Sequence, residues 1–300
     1  MSDPDAYELH RELPSLERPV LVVMLTGWID ASGAAAAAMA AVEEQCASEP
    51  LATFDSDVFI DYRARRPVME LREGVNTRLV WSDIQLKAGT SPGGVPVLTL
   101  TGPEPDANWK RFAREVTALA LRLGTYQMVG LGAYPFATPH TRPSRLSCTT
   151  PSAELAAQAP FIKSSVDVPA GVGAVLEHAL TEAGIASLGL WVQVPHYVSA
   201  MNYPSASAAL LTGLKEATGL ELDAGELHRE ATIQRVRIDR LVEGNDEHTE
   251  MVRQLEVAYD AALAEDAPSG PAASMLNAVE LPSGDELAAE FERFLRDQDD

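Results

Sequence analysis

The stretch RPVLVVMLTGWIDASGAAAAA, from Arg18 to Ala38, places an apolar run directly before a run of alanines. The apolar run has too few polar residues to alternate between two faces, which is typical of a strand buried on both sides. Alanine has the highest helix propensity, so the second part predicts a helix. A buried strand followed by a helix is the repeating unit of an α/β fold with a parallel sheet.

The same order recurs through the first 220 residues. PVLTLTG, YQMVGLGA and SLGLWVQVP predict further strands, and helical patterns follow at 109–123, about 173–183 and 205–218. FDSDVFIDY and RLVWSDIQL are also interpreted as β-rich runs. This alternation predicts an α/β three-layer sandwich with a mainly parallel central sheet and helices on both faces.

The pattern changes after Gly219. Apolar residues then recur at helical spacing on either side of EGND, at 243–246, which predicts a helical hairpin. The following segment is rich in proline and small residues, which is typical of a linker, and a short acidic helix follows it. We therefore predict an α/β core at 1–220, a helical hairpin at 221–266, and a linker with a tail helix at 267–300.

Composition excludes several classes of partner. The chain of 300 residues has 44 acidic and 23 basic residues, a net charge of -21. Such a charge repels phosphate backbones and anionic membrane surfaces, so we expect no nucleic-acid and no membrane partner. The start, MSDPDAYELH, lacks the basic and apolar parts of a signal peptide, and no window offers ~18 uninterrupted apolar residues, so we expect a cytoplasmic protein.

Metal and nucleophile motifs are incomplete. Cys46 and Cys148 stand far apart, and none of the six histidines falls in a recognised metal spacing, so we predict no metal and no cofactor. GTSPG, from Gly89 to Gly93, matches the nucleophile pattern GxSxG. That pattern needs a helix after the serine and a backbone N–H at the next residue, whereas here a strand follows and the next residue is Pro92. We predict a turn there and assign no catalytic residue.

Candidate ligand-binding side chains follow the apolar strands. Trp28 and Asp30 come after the first, His140 and Arg142 lie in the PHTRP loop after YQMVGLGA, and His196 follows SLGLWVQVP. Ligands of open parallel sheets bind where the strands end, so these residues suit one cleft. Two alternatives stay open: Asp30 caps the alanine helix, and the histidines with Arg142 hydrogen-bond to their own loops.

PAGVGAVL supplies two further candidates, Gly171 and Gly173, just before a predicted helix. The free N–H groups of a helix start attract anions, so these glycines suit a phosphate-type site. The alternative is an ordinary start of a helix.

Four of these blocks, in this order, resemble the hallmark sequences of the PAC2 family, named for proteasome assembly chaperone 2, in its actinobacterial form. They are LTGWIDASGAAAAA, GAYPFATPHTRP, VPAGVGAVL and VPHYVSAMNYPSASAALL, and the resemblance covers roughly residues 5–265. It implies a phosphorylase/hydrolase-like α/β sandwich and homo-oligomers. It also implies protein binding, because eukaryotic and archaeal relatives assist or contact the proteasome without assigned catalytic residues.

The same resemblance implies one difference. Several relatives end in a hydrophobic-tyrosine-any tripeptide that inserts into proteasome pockets, whereas this sequence ends RDQDD. We therefore expect a binding role that does not use this docking peptide.

Two functional hypotheses follow. The first is a non-enzymatic, assembly-chaperone-like protein that binds itself, with a trimer as the favoured number, and binds another protein. Its predicted helical hairpin supplies apolar faces for contact between subunits. The alternative is a small-molecule enzyme, a hydrolase, nucleoside phosphorylase-like enzyme or ligase, with its site near Asp30, His140 and Arg142.

Overall fold

The structure is a computed structural model that describes residues 5–266. The chain forms two compact units, one ending at Glu256 and the other beginning at Val257. The strands are β1 (Tyr7–Leu9), β2 (Val20–Thr26), β3 (Glu49–Phe54), β4 (Val68–Arg72), β5 (Val75–Val80), β6 (Gln85–Thr90), β7 (Pro96–Pro103), β8 (Gln127–Phe136), β9 (Leu146–Thr149) and β10 (Ala186–Pro195). The helices are α1 (Ala34–Gln45), α2 (Ser56–Phe59), α3 (Trp109–Arg122), α4 (Ala153–Gln158), α5 (Val172–Glu182), α6 (Pro204–Thr218), α7 (Gly225–Glu243) and α8 (Asp246–Asp266).

Eight strands form the central sheet, in the order β1-β3-β6-β7-β2-β8-β10-β9. The four in the middle, β7, β2, β8 and β10, are parallel. The strands on the flanks pair antiparallel. Between β6 and β7 the cause is the short turn Ser91–Val95, which leaves no room for a crossover. The predicted α/β sandwich with a parallel centre is confirmed, and its edges are mixed.

Strand β2 shows why the sheet is covered on both faces. Val20, Val22 and Met24 belong to the core cluster that contains α1 and α6. Leu21 and Val23, which point the other way, belong to the cluster that contains α3 and α5. Alternate side chains of a strand face opposite sides, so a continuous apolar run fills two cores at once.

Two short segments differ from the prediction. FDSDVFIDY was predicted as a β-rich run, but β3 ends at Phe54 and one helical turn, α2, follows. Asp55 starts that turn by accepting a hydrogen bond from the N–H of Asp57 at 3.0 Å. The hairpin β4–β5, a separate two-stranded sheet, was not predicted. Its turn places Glu73 and Gly74 in the left-handed region, at φ 50° and 84°, as a tight hairpin turn requires.

Two helices follow α6, as the sequence predicts, and α7 packs on α6. The predicted linker and tail helix at 267–300 lie outside the described residues. The division at residues 220 and 266 therefore stays a prediction.

Candidate functional site

The predicted ligand-binding side chains lie where the parallel strands end. Trp28 and Asp30 follow β2, the PHTRP loop follows β8, and His196 follows β10. Because β2, β8 and β10 are parallel neighbours in the sheet, these segments share one edge.

His140 is the most enclosed of these side chains, with 2% of its surface exposed. Its Nδ1 lies 2.7 Å from the Tyr197 hydroxyl oxygen, and its Nε2 lies 2.9 Å from Oδ1 of Asp239 on α7. The backbone N–H of His140 also donates to the Tyr197 oxygen, at 2.8 Å. An imidazole with its proton on Nε2 satisfies all three contacts, since Nε2 donates to Asp239 and Nδ1 accepts from Tyr197.

Tyr197 is suited to that donor role. Burial raises the pKa of its phenol above the ordinary value, so the hydroxyl keeps its proton near neutral pH. The ring also packs edge-on against His196, with ring centres 5.3 Å apart, and against His140, at 5.8 Å. Tyr197 therefore separates the two histidines, of which His196 is exposed.

The next two loop residues reach α8. Nη1 of Arg142 lies 3.0 Å from Oε1 of Glu256, and the Thr141 hydroxyl donates to the same carboxylate oxygen. Three consecutive residues thus join the loop to α7 and α8. The Arg142 side chain is only partly covered, at 31% exposure, so part of its guanidinium stays accessible.

Asp30 is bound to the start of α1. Its Oδ1 accepts from the N–H of Ala35 at 2.8 Å, and its Oδ2 accepts from the N–H of Ala36 at 3.1 Å. Burial raises the pKa of this carboxyl, while the two N–H donors act in the opposite direction. Both oxygens are used within the protein, an arrangement that suits a helix cap.

Trp28, Gly171 and Glu104 form a separate group. A Cβ added to Gly171 would lie 2.9 Å from Cδ1 of Trp28 and 3.1 Å from Oε1 of Glu104. The Glu104 carboxylate accepts the backbone N–H of Val172, at the start of α5. A carboxylate of the protein thus already lies at the helix start that the sequence offers to an anionic ligand. Gly173 is in open space, with nothing within 4 Å of an added Cβ.

This difference between the two glycines gives a matched test. Gly171→Ala should lower the free energy of unfolding by roughly 1–3 kcal/mol, because the methyl group overpacks against Trp28 and Glu104. Gly173→Ala, in the first turn of the same helix, should leave stability unchanged or raise it by up to ~1 kcal/mol. Urea denaturation of both variants measures the difference. Equal effects at the two positions would contradict this account of Gly171.

The edge thus holds three local arrangements. In the first, His140 and His196 pack on Tyr197, and Arg142 of the same loop pairs with Glu256. In the second, Trp28 and Gly171 lie beside Glu104. In the third, Asp30 caps the start of α1. Tyr197, Glu104, Asp239 and Glu256 were missed by the sequence analysis. Glu104 follows the end of β7, so its position was a usable signal. Asp239 and Glu256 lie about 100 positions beyond the loop, and no local pattern marks them.

An open cavity of about 310 Å³ lies beside the PHTRP loop. Arg142 lines it from the loop, Tyr203 and Ser205 from the start of α6, and His228 and Arg235 from α7. Its lining is polar and partly basic, and its volume is at the lower end for small-molecule sites.

A further buried acid lies on α5, away from these loops. Glu177 is almost fully covered, and burial raises the pKa of its carboxyl to about 7, opposed by a hydrogen bond from the Thr149 hydroxyl at 3.1 Å. Thr149 in turn accepts from Nε1 of Trp191 at 3.2 Å. Gly189 provides the space, because a Cβ there would lie 2.5 Å from Oε1 of Glu177.

Metal and membrane sites were sought throughout residues 5–266. In that part of the chain, no three His, Cys, Asp or Glu side chains are placed to hold a metal ion together. None of the helices described there has the length and apolarity needed to cross a bilayer.

The fold and the edge define an α/β sandwich protein whose strand-end loop is bonded to C-terminal helices. The PAC2 family model matches residues 24–242, so the chain belongs to the PAC2 family, as its sequence blocks suggest. A search of the curated proteins found no match.

Solved structures support this assignment. A Mycobacterium tuberculosis protein of unknown function is 34% identical, with a TM-score of 0.79 and coverage of 88% of this chain and 94% of that chain. A PAC2 family protein from Streptomyces avermitilis is 33% identical, with a TM-score of 0.70 and coverage of 78% and 99%. A proteasome-assembly chaperone homologue from Mycobacterium tuberculosis is 31% identical, with a TM-score of 0.72 and the same coverage.

Proposed function

We propose that this chain is a non-enzymatic, homo-oligomeric protein of the assembly-chaperone type, which binds another protein. The proposal rests on the contacts that the PHTRP loop makes with α7 and α8. His140 and Thr141 are bonded to α7 and α8, and Arg142 is paired with Glu256. These side chains stabilise a tertiary arrangement, which is the work of a structural loop.

A general base needs contact with a substrate proton, and the His140 imidazole lacks that access. Both of its nitrogens are engaged, and its side chain is 2% exposed. Asp30 likewise has both oxygens bonded to α1. The groups that an acid–base enzyme would use are therefore occupied in the folded protein.

The relatives favour a protein partner. One that is 31% identical over 78% of this chain is described as a proteasome-assembly chaperone homologue. The net charge of -21 supports a protein partner over nucleic acid or an anionic membrane. Exposed Ile233, Val236 and Leu241 on α7 supply apolar surface for such contacts.

Proteasome α-subunits are the first partner to test. Purified α-subunits from the same source are mixed with the chain, and complex mass is followed by light scattering. A mixed complex, or faster growth of α-subunit rings, is the expected result. Arg142→Ala also loses its ion pair with Glu256, so Glu256→Gln is the control: a complex lost in Arg142→Ala and kept in Glu256→Gln would place Arg142 at the contact.

The cavity beside Arg142 supports one alternative, a small-molecule enzyme. A panel of nucleosides, esters and amides tests it. We expect no turnover above that of a heat-inactivated sample. Turnover that Arg142→Ala abolishes, while the variant stays folded at the assay temperature, would overturn the non-enzymatic proposal.

A further inference from the structure

The hairpin β4–β5 is the most exposed apolar element of the described chain. Every residue from 71 to 83 is exposed. Val68 pairs with Val80 and Met69 with Leu79, so apolar side chains lie on both faces of the hairpin. A two-stranded hairpin is only marginally stable in water unless it packs on something, and exposed apolar patches of this kind mark interaction surfaces.

The base of the hairpin is held firmly, although its body is not covered. The Tyr62 and Trp81 rings pack edge-on with their centres 4.7 Å apart, across the two chain segments that lead into the hairpin. Nε of Arg65 lies 3.1 Å from Oδ1 of Asp106, which fixes the same base to the chain after β7. The hairpin is fixed at its base and exposed along its length, so this arm, residues 66–81, is suited to contact another molecule.

The charge of the arm indicates what that molecule is. The arm, residues 66–81, carries three arginines and two acids, in a chain whose net charge is -21. A second copy of this chain offers a matching acidic surface where α7 meets α8. There, Leu241 is 62% exposed and stands beside the exposed acids Glu243, Asp246 and Glu247.

We infer that the arm of one copy, residues 66–81, docks on the corner between α7 and α8 of a second copy, residues 241–247. Val68, Val80 and Arg72 lie on one face of the arm, and that face covers Leu241 while Arg66 and Arg72 face the acids of the corner. The two surfaces are different patches of one chain, so the contact is head-to-tail, and such contacts close into rings. This inference rests on the proposed homo-oligomer and names the surfaces that build it.

The first test replaces the apolar pair. The full chain and Val68→Glu/Val80→Glu are compared by sedimentation velocity from low to high micromolar concentration. We expect an oligomer for the wild type and at least about a thirtyfold weaker association for the variant, the loss typical of interface hot spots. Leu121→Glu, on α3, is the control: Leu121 is 53% exposed, between Val68 (64%) and Val80 (36%), and its replacement should leave association unchanged.

The second test exchanges charges. Arg66→Glu/Arg72→Glu and Glu243→Arg/Glu247→Arg should each weaken association, because each places like charges across the contact. A chain that carries all four changes should regain association, since the signs again match. Association regained by the combined variant would require direct contact between these two surfaces.

Several outcomes would overturn the inference. An oligomer that none of the arm variants weakens would reject the arm and leave the proposed function standing, whereas a wild-type monomer at high micromolar concentration would reject both. Binding of the monomer to vesicles of phosphatidylcholine and phosphatidylglycerol, lost in Val68→Glu/Val80→Glu, would assign the arm to membranes. If variants misfold, amide exchange of the wild type decides, because exchange at 68–80 must slow as the protein associates.

Discussion

Replacing His140 with alanine is expected to lower the free energy of unfolding by about 3 kcal/mol, the largest loss among the loop residues. The change removes a side chain with 2% exposure and leaves a cavity. It also removes a hydrogen bond to the Asp239 carboxylate and one to the Tyr197 hydroxyl. Chemical denaturation gives the total, and amide exchange should show faster opening of α7, which loses its bond through Asp239.

His196→Ala is the matched control. His196 also follows a proline at the end of a parallel strand, and it packs on the same tyrosine, but it is exposed. Its loss should change stability by less than ~1 kcal/mol, as for other surface positions. A His140 variant no more damaging than the His196 variant would show that the contacts to Tyr197 and Asp239 contribute little.

Glu177→Gln is expected to stabilise the protein at pH 8 by up to about 3 kcal/mol. Burial raises the pKa of Glu177 to about 7 in the folded chain, against about 4.3 for an unfolded glutamate. Between these values the folded chain binds the proton more tightly, so stability falls as pH rises through the window and is level above it. Glutamine fills the same space without a charge, and it should remove this part of the pH dependence.

Denaturation curves at pH 5 and pH 8 measure the effect. The stability gap between the variant and the wild type should be small at pH 5, near the lower end of this window, and several times larger at pH 8. Glu182→Gln, an exposed position on the same helix, should produce neither change. A wild type and Glu177→Gln variant with parallel pH profiles would show that Glu177 is not the group responsible.

The buried centre of the fold was predictable because burial leaves a pattern in the sequence. Val20 to Met24 fill both cores, so the run has no polar gaps, and the alanines after it form α1. The hairpin β4–β5 has no such pattern, since no core selects its residues and charges interrupt its apolar positions. The helical turn α2, capped by Asp55, was missed because four residues are too few to show a helical period in the sequence.

The location of the candidate site could be predicted from the sequence, but its side-chain contacts could not. Alternating strands and helices predict a parallel sheet whose strands end at one edge, and the segments after β2, β8 and β10 lie there. The partners of the loop are set by tertiary packing: Tyr197 lies 57 positions from His140, and Glu256 lies 114 from Arg142. Contacts between residues so far apart in the chain leave no local pattern in the sequence. The roles of the candidate residues in ligand binding stay predictions.

The long separation between the PHTRP loop and its partners has a consequence for synthesis of the chain. Asp239 follows His140 by 99 positions, so a ribosome working at about 5–20 residues per second makes the partner roughly 5–20 seconds after the loop. The last parallel strand, β10, is made during that interval, while the loop still lacks its carboxylates. A nascent chain halted after α6 should therefore be cut by proteases at the loop, and the same site should become resistant once α7 and α8 have emerged.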